Sequence, residues 1–179
     1  TLKPIYHSSK MEIKREELEY GYFSVGGHSM YLPKSHSEYS DSRLHWKETV
    51  TARDNKGNIA EFTETGCPTK VIIWSYNGQH PVAVIENCTL ARVEEKLKGL
   101  LSIDSITNSQ EFTQRQQEIL NDTLRRLLPE AHITVYTYKP GIGVSSITDL
   151  RGVKTTFDYD ASGRLVSIKD TDGKTVEEY

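Results

Sequence analysis

Long hydrophobic runs are missing from this chain of 179 residues. No stretch approaches the roughly 18 apolar residues that a bilayer-spanning helix needs. The N-terminus also lacks the charged-then-apolar pattern of a signal peptide. A strong charge of either sign is missing as well: 22 Lys and Arg against 25 Asp and Glu leave a net charge of -3. This balance removes the basic footprint of a nucleic-acid or anionic-membrane binder. Cysteine is scarce, at two residues, and neither a paired-cysteine motif nor His-Glu-x-x-His occurs, so the established zinc patterns are absent. Apolar residues make up a modest 36%, which suits a sheet-rich body with much exposed surface better than two separate cores.

What the chain does have is a repeat of 21 residues at its C-terminal end. Tyr136-Thr137-Tyr138 returns as Phe157-Asp158-Tyr159, Ser146-Ile147 as Ser167-Ile168, Asp149 as Asp170 and Gly152 as Gly173. Self-similarity at a fixed period implies stacked supersecondary units, each too small to bury its own apolar face. The chain starts at Thr1 rather than Met and stops at Tyr179 within a repeat, so both ends read as cuts in a longer protein.

Strand and turn signals fill most of the length. Glu12 to Tyr20 suits a short helix or a polar strand, and Tyr22 to Ser42 predicts irregular loops with short strands. Strands are expected at Glu48 to Arg53, Ile59 to Glu64, Lys70 to Tyr76 and Pro81 to Glu86, separated by Asp54-Asn55-Lys56-Gly57, Thr65-Gly66 and Asn77-Gly78. Asn77-Gly78 predicts a two-residue type I′ hairpin turn, which needs positive φ at both positions. Beyond Asn87 the spacing turns helical: Val93, Leu97, Leu100 and Leu101, then Phe112, Leu120, Leu124, Leu127 and Leu128, with Ser102 to Ser109 as a connecting turn. From His132 onward the alternation is β again. The expected organisation is a β-rich segment over 1–88 with one or two degenerate repeats, a helical hairpin inserted at 89–131, and β repeats over 132–179. The fold class is mainly β, built from antiparallel hairpin repeats.

The hairpin around Trp74 aligns with the last repeat: Trp74 with Phe157, Tyr76 with Tyr159, Asn77 with Asp160, Ile85 with Ile168 and Asn87 with Asp170. Upstream, Asp54, Gly57 and Phe62 repeat the spacing of Asp149, Gly152 and Phe157, so an earlier unit is expected. Phe157-Asp158-Tyr159-Asp160-Ala161-Ser162-Gly163-Arg164-Leu165, followed by Ile168, Asp170 and Gly173, resembles the YD repeat of the Rhs (rearrangement hotspot) family. The resemblance is specific over Val135 to Tyr179, looser over Asp54 to Asn87, and absent over the helical insert and the first fifty residues. Tyr76-Asn77-Gly78-Gln79 departs from the motif by lacking the Gly-Arg step. The resemblance implies a strand repeat of large secreted or cell-surface bacterial proteins, wound into extended or shell-like sheets. It implies flanking repeats of the same chain as partners, an enclosed cargo domain in some relatives, and glycan binding in others. In the repeat, Asp supplies bonds to the following amides and Gly the positive φ of the turn, and the aromatic positions stack across strands.

Candidate chemistry is thin. Gly27-His28-Ser29-Met30 resembles the start of a nucleophile elbow, which would make Ser29 a hydrolase nucleophile, but Tyr31 stands where the final Gly is required and no βαβ succession surrounds it. His28, His36 and His45, with Glu38 and Asp41, match no metal-ligand spacing and read as loop histidines. Asp170-Thr171-Asp172-Gly173 is a turn rather than a calcium loop, since an EF-hand register would put Ile168 at the first ligand position. Gly141-Ile142-Gly143-Val144-Ser145 is a turn between strands, with no helix behind it to bind phosphate. Trp46, Trp74 and Tyr76 are candidate sugar-stacking faces, against the alternative that aromatics at alternating positions are core or cross-strand pairs. No cofactor is implied.

The two cysteines present a geometric alternative. A two-residue turn at Asn77-Gly78 pairs positions summing to 155, and Cys67 with Cys88 gives that sum, so a disulfide is possible if the register continues. Pro81 would then oppose Trp74 without an amide to donate, which favours a bulge or shifted register and two free thiols. The expected function is a non-enzymatic scaffold or shell segment, with a carbohydrate-binding module as the alternative and a Ser29 hydrolase as a remote one.

Overall fold

The computed structural model describes residues 14–179. Among the described residues, eleven strands, β1 (Arg15–Val25), β2 (His28–Ser40), β3 (Arg43–Arg53), β4 (Ile59–Glu64), β5 (Lys70–Ser75), β6 (His80–Glu86), β7 (His132–Lys139), β8 (Gly143–Thr148), β9 (Lys154–Tyr159), β10 (Leu165–Lys169) and β11 (Thr175–Glu178), form one sheet in chain order. Every neighbouring pair is antiparallel. The protein is therefore a mainly β meander with a helical segment between β6 and β7. Of the expected element at Glu12 to Tyr20, Glu12 and Ile13 lie outside the described residues, and Arg15 to Tyr20 is strand.

Tyr22 to Ser42 corrects the expectation of loops. Two long strands run through it, joined by Gly26-Gly27, whose φ values of 55° and 82° make a hairpin turn that other residues resist. Alternation was present but hidden by composition: Tyr22 and Ser24 face solvent while Phe23 is half-buried and Val25 is buried.

The core lies on one face of β5 to β7. Val71 pairs with Ile85 and Ile85 with Ile133, while Ile73 pairs with Ala83 and Ala83 with Val135, so these six share a face. Helices α1 (Leu90–Leu97), α2 (Ile103–Thr107), α3 (Gln114–Glu118) and α4 (Arg125–Leu127), with a π-helical turn at Ile119–Leu124 joining α3 to α4, cover it. Val93, Leu97, Ile106, Leu120, Leu124 and Leu128 contribute the opposing side chains, each at most 1% exposed. The expected connecting turn at Ser102 to Ser109 is instead occupied by α2, because Ile106 and Thr107 are drawn into the core. Thr113 begins α3 with a capping box to Gln116.

The hairpin at Asn77-Gly78 also departs from expectation. Ser75 pairs with His80, but Tyr76, Asn77 and Gly78 all take positive φ (54°, 59° and 80°) and the amide of Gln79 bonds the Ser75 carbonyl at 3.0 Å, one left-handed turn instead of a two-residue loop. Left-handed backbone costs L-residues about 1–2 kcal/mol each, and contacts from three other regions hold it. Asn77 N–H donates to Ser109 O at 2.7 Å, Asn58 Nδ2 donates to Gly78 O at 2.9 Å, and Tyr76 Oη lies 3.3 Å from Tyr138 O.

A bulge follows, between Ile73 and Trp74, where Pro81 has no amide to give. It leaves Val82 unpaired, and Val82 and Ala83 are both fully buried. The bulge also decides the cysteine alternatives. Beyond it, partners sum to 156, as in Lys70 with Glu86, which takes Cys67 out of register with Cys88. Cys67 sits exposed in the turn before β5, Cys88 is buried, and both are free thiols, so the disulfide alternative is corrected. Burial pushes the Cys88 thiol pKa up.

Candidate functional site

The recurring unit of this sheet is a turn with one fixed set of bonds. Asp149 donates its amide to Val153 O at 2.9 Å, accepts from Gly152 N at 2.9 Å through its carbonyl, and accepts from the amides of Arg151 and Val153 at 2.9 Å each through Oδ1. Asp160 repeats this with Gly163, Ser162 and Arg164, Asp170 with Gly173, Asp172 and Lys174, and Asp54 with Gly57, Lys56 and Asn58. The chemistry asks for a short side-chain acceptor at the first position and for Gly at the fourth, where φ runs from 78° to 91°. The bond from Val153 N–H, followed by those from Arg151, holds the Asp149 carboxyl below the ordinary carboxylate range. The Asp160 carboxyl is lowered likewise, first by the amide and then by the guanidinium of Arg164, which sits at 2.8 Å.

Strand parity refines the repeat. In a meander, turns alternate between the two ends of the sheet, so the Asp149 and Asp170 turns share one end while the Asp54, Asn77 and Asp160 turns share the other. The alignment of Asn77 with Asp160 respects this geometry. The alignment of Asp54 with Asp149 joins turns at opposite ends: the turn chemistry recurs there, but not as a translation of the two-strand unit.

A second recurring contact was invisible in the sequence because its partners lie far apart in the chain. Tyr159 Oη donates to Val144 O at 2.8 Å, and Tyr138 Oη, 21 positions earlier, donates to Pro81 O at 2.8 Å. Each tyrosine staples the end of its own strand to the start of the preceding one. Gly143 leaves room for this approach, since a Cβ there would stand 3.0 Å from Tyr159 Oη. Burial raises the Tyr138 pKa.

The face of the sheet opposite the helices carries Phe62, Ile72, Trp74, Val84, Tyr136, Ile147, Phe157 and Ile168, all half-buried. Trp74 donates Nε1 to Ile59 O at 2.8 Å. Tyr76 is buried, with its ring edge-on to Tyr138 and His80, which stack on each other at 4.6 Å. Trp46 packs edge-on against His36 at 5.5 Å. The three candidate sugar-stacking residues are thus not brought together. Trp74 and Tyr76 have their polar atoms engaged within the fold, the arrangement of cross-strand and core aromatics. The exposed aromatic cluster is elsewhere, at Tyr20, Tyr22 and Tyr31.

Ser29 lies within β2 opposite Ser24, in extended strand and not on the strand-to-helix turn a nucleophile elbow requires. The three histidines lie in strands and not in loops, His28 and His36 in β2 and His45 in β3; His36 approaches Glu16 at 3.8 Å, while His28 and His45 stand exposed. Among the described residues, no group of three or more His, Cys, Asp or Glu is placed to hold a metal ion. Gly141 and Ile142 form the β7–β8 turn, with Ile142 N–H donating to Lys139 O. Among the described residues, no helix is long and apolar enough to cross a membrane.

One contact between insert and sheet had no sequence signal. Glu61 on β4 accepts from the Leu90 amide at the start of α1 through Oε2 and from Thr51 Oγ1 through Oε1, both at 2.6 Å. The carboxylate completes the helix terminus and matches its dipole.

Residues 143–175, which span the turns at Asp149, Asp160 and Asp170, match the family model of the RHS repeat. Residues 143–175 carry an RHS repeat. The matched region holds β8, β9 and β10 with the three turns that share one bond set, so the RHS signature coincides with the most regular part of the sheet. No curated protein matches the chain. Among solved structures, the chain is similar to TcdB2-TccC3 without its hypervariable C-terminal region, with a TM-score of 0.47, 10% identity, and coverage of 98% of this chain and 9% of that one. A second structure of TcdB2-TccC3 gives a TM-score of 0.43 at 10% identity, covering 92% of this chain and 8% of that one. The chain thus spans less than a tenth of the length of either.

Proposed function

We propose that this chain is a structural segment, a length of RHS-repeat sheet whose role is to hold shape and continue into flanking repeats of a longer protein. The observation that carries this reading is the regular series of turns at Asp149, Asp160 and Asp170, each closed by the same Asp and Gly bonds along one continuous antiparallel sheet. Units of this kind stack on their neighbours and draw stability from them. Secretion or surface display, an enclosed cargo domain and absence of catalysis belong to the same proposal and rest on the RHS resemblance. A glycan partner would have to use Tyr20, Tyr22 and Tyr31 in place of Trp74 and Tyr76.

The test is to extend the repeat. A second copy of residues 159–179 fused after Tyr179 adds one full period of 21 residues, so that its Tyr stands 21 positions after Tyr159 and precedes a new Asp-x-x-Gly turn. The expected result is a higher thermal midpoint and slower amide exchange in β11, because in a repeat array each interface adds stability. An unchanged midpoint with β11 still exchanging freely would sink the reading.

A further inference from the structure

The outer surface of the helical insert has a groove that the sheet does not need. Helix α1 ends at Leu97 with Lys98 as its cap, and Gly99 at φ 79° turns the chain, with open space where its Cβ would be. The amides of Leu100 and Leu101 both bond back to Leu97 O, at 2.9 and 3.0 Å, before α2 begins at Ile103. This tight reversal leaves Leu100 43% exposed, outside the core that takes Leu97 and Ile106. Between α1 and α2 lies an open cavity of 910 Å³ whose apolar lining comes from Ala91, Leu100, Leu101 and Ile103. That volume is within the roughly 300–1,000 Å³ typical of ligand clefts.

Charge around the groove is one-sided. Glu94, Glu95 and Asp104 line it against Lys98 alone. Glu95 is tied to Arg92 at 3.1 Å and Lys96 at 3.4 Å, whereas Glu94 and Asp104 have no ion pair among the described residues. They also border a smaller cavity with Arg53, but the Arg53 guanidinium donates to the carbonyls of Gly57 and Pro33. An apolar floor with unpaired carboxylates at its rim is complementary to an apolar segment flanked by cations.

We propose that the groove between α1 and α2 docks a short apolar peptide segment of a partner protein, flanked by Lys or Arg. The apolar side chains cover Leu100 and Ile103, and the flanking cations sit against Glu94 and Asp104.

The test uses the whole chain and three fluorescein-labelled peptides: Arg-Leu-Leu-Trp-Leu-Arg, its Glu-flanked counterpart and Arg-Ser-Ser-Gly-Ser-Arg. Fluorescence anisotropy is expected to show saturable binding of the first peptide only, weakened at least several-fold when salt is raised from 50 to 500 mM, an electrostatic signature. Leu100→Asp and the double variant Glu94→Lys with Asp104→Lys are each expected to weaken it tenfold or more, and circular dichroism should remain unchanged because these side chains are exposed. Equal binding of the Glu-flanked peptide, unchanged binding by either variant, or no binding of any peptide would overturn the proposal. So would a dimer in sedimentation that Leu100→Asp dissociates, since the occupant would then be a second copy.

Discussion

At the residue scale the aspartates of the turns do the most per atom, because one carboxylate oxygen closes two amides and the backbone of the same residue closes two more bonds. Asp54 is the most enclosed of them, 8% exposed, and its Oδ2 also accepts from Asn58 Nδ2 at 3.0 Å. Asp54→Ala leaves three donors without their acceptor and is expected to lower unfolding free energy by about 1–2 kcal/mol, the range of a lost cap, measurable by urea denaturation. Asp54→Asn should fall between. The lowered carboxyls of Asp149 and Asp160, with Asp158 lowered by Lys169 and Ser167, give a pH prediction. A carboxylate whose folded pKa lies below its unfolded value stabilises the fold above that unfolded value, near 3.8, and loses the contribution as pH falls through the folded value. The thermal midpoint should therefore hold at neutral pH and drop below about pH 4; a midpoint that rises there would contradict the turn geometry. These turns were legible because Asp-x-x-Gly acts within five residues of chain. The tyrosine staples were not, since the carbonyl that Tyr138 reaches lies 57 positions away.

At the element scale, periodicity located the helices, but packing set their limits. Val93 and Leu97 announced α1 by spacing. Helix α2 escaped notice because five residues are too few for a period to show, and the π-helical turn has no local signature. The strands Lys70–Ser75 and His80–Glu86 were legible down to the bulge that Pro81 favours, whereas the left-handed turn between them was not, because Ser109, Asn58 and Tyr138 hold it from outside. Within the insert, Leu120 is fully buried against the sheet, so Leu120→Ala should cost about 2–5 kcal/mol. Glu61→Gln tests the clamp on α1 from the sheet side. A carboxamide has one acceptor oxygen for the two donors, Leu90 N and Thr51 Oγ1, so one bond is lost together with the charge at the helix start. A loss of about 1 kcal/mol is expected, with faster hydrogen exchange confined to α1. A uniform increase across the sheet would place the role of Glu61 elsewhere.

At the scale of the molecule, the helices and the strip of sheet beneath them are matched to each other. Where β8 and β9 continue the same face beyond β7, the paired residues are Ser146 with Thr156 and Thr148 with Lys154, a polar row beside the apolar one. Only β5 to β7 carry Val71, Ile73, Ile85, Ile133 and Val135, each at most 1% exposed under the insert. Since Glu86 and His132 are already paired, a short turn can in principle replace residues 88–130 without moving either strand. Apolar area stripped of its cover costs roughly 25 cal/mol per Å² and makes a patch that seeks another. The shortened chain is therefore expected to aggregate or to bind a hydrophobic dye such as ANS. Adding Val71→Thr, Ile73→Thr, Ile85→Thr, Ile133→Thr and Val135→Thr, which copies the polar row of β8 and β9, should restore a soluble, dye-silent sheet. Recovery would mean that the repeats hold their own pairing and that the insert serves chiefly to cover the face beneath it. Persistent unfolding of the polar version would mean that the helices, clamped through Glu61, Asn77 and Arg125, supply stability that the repeat turns cannot.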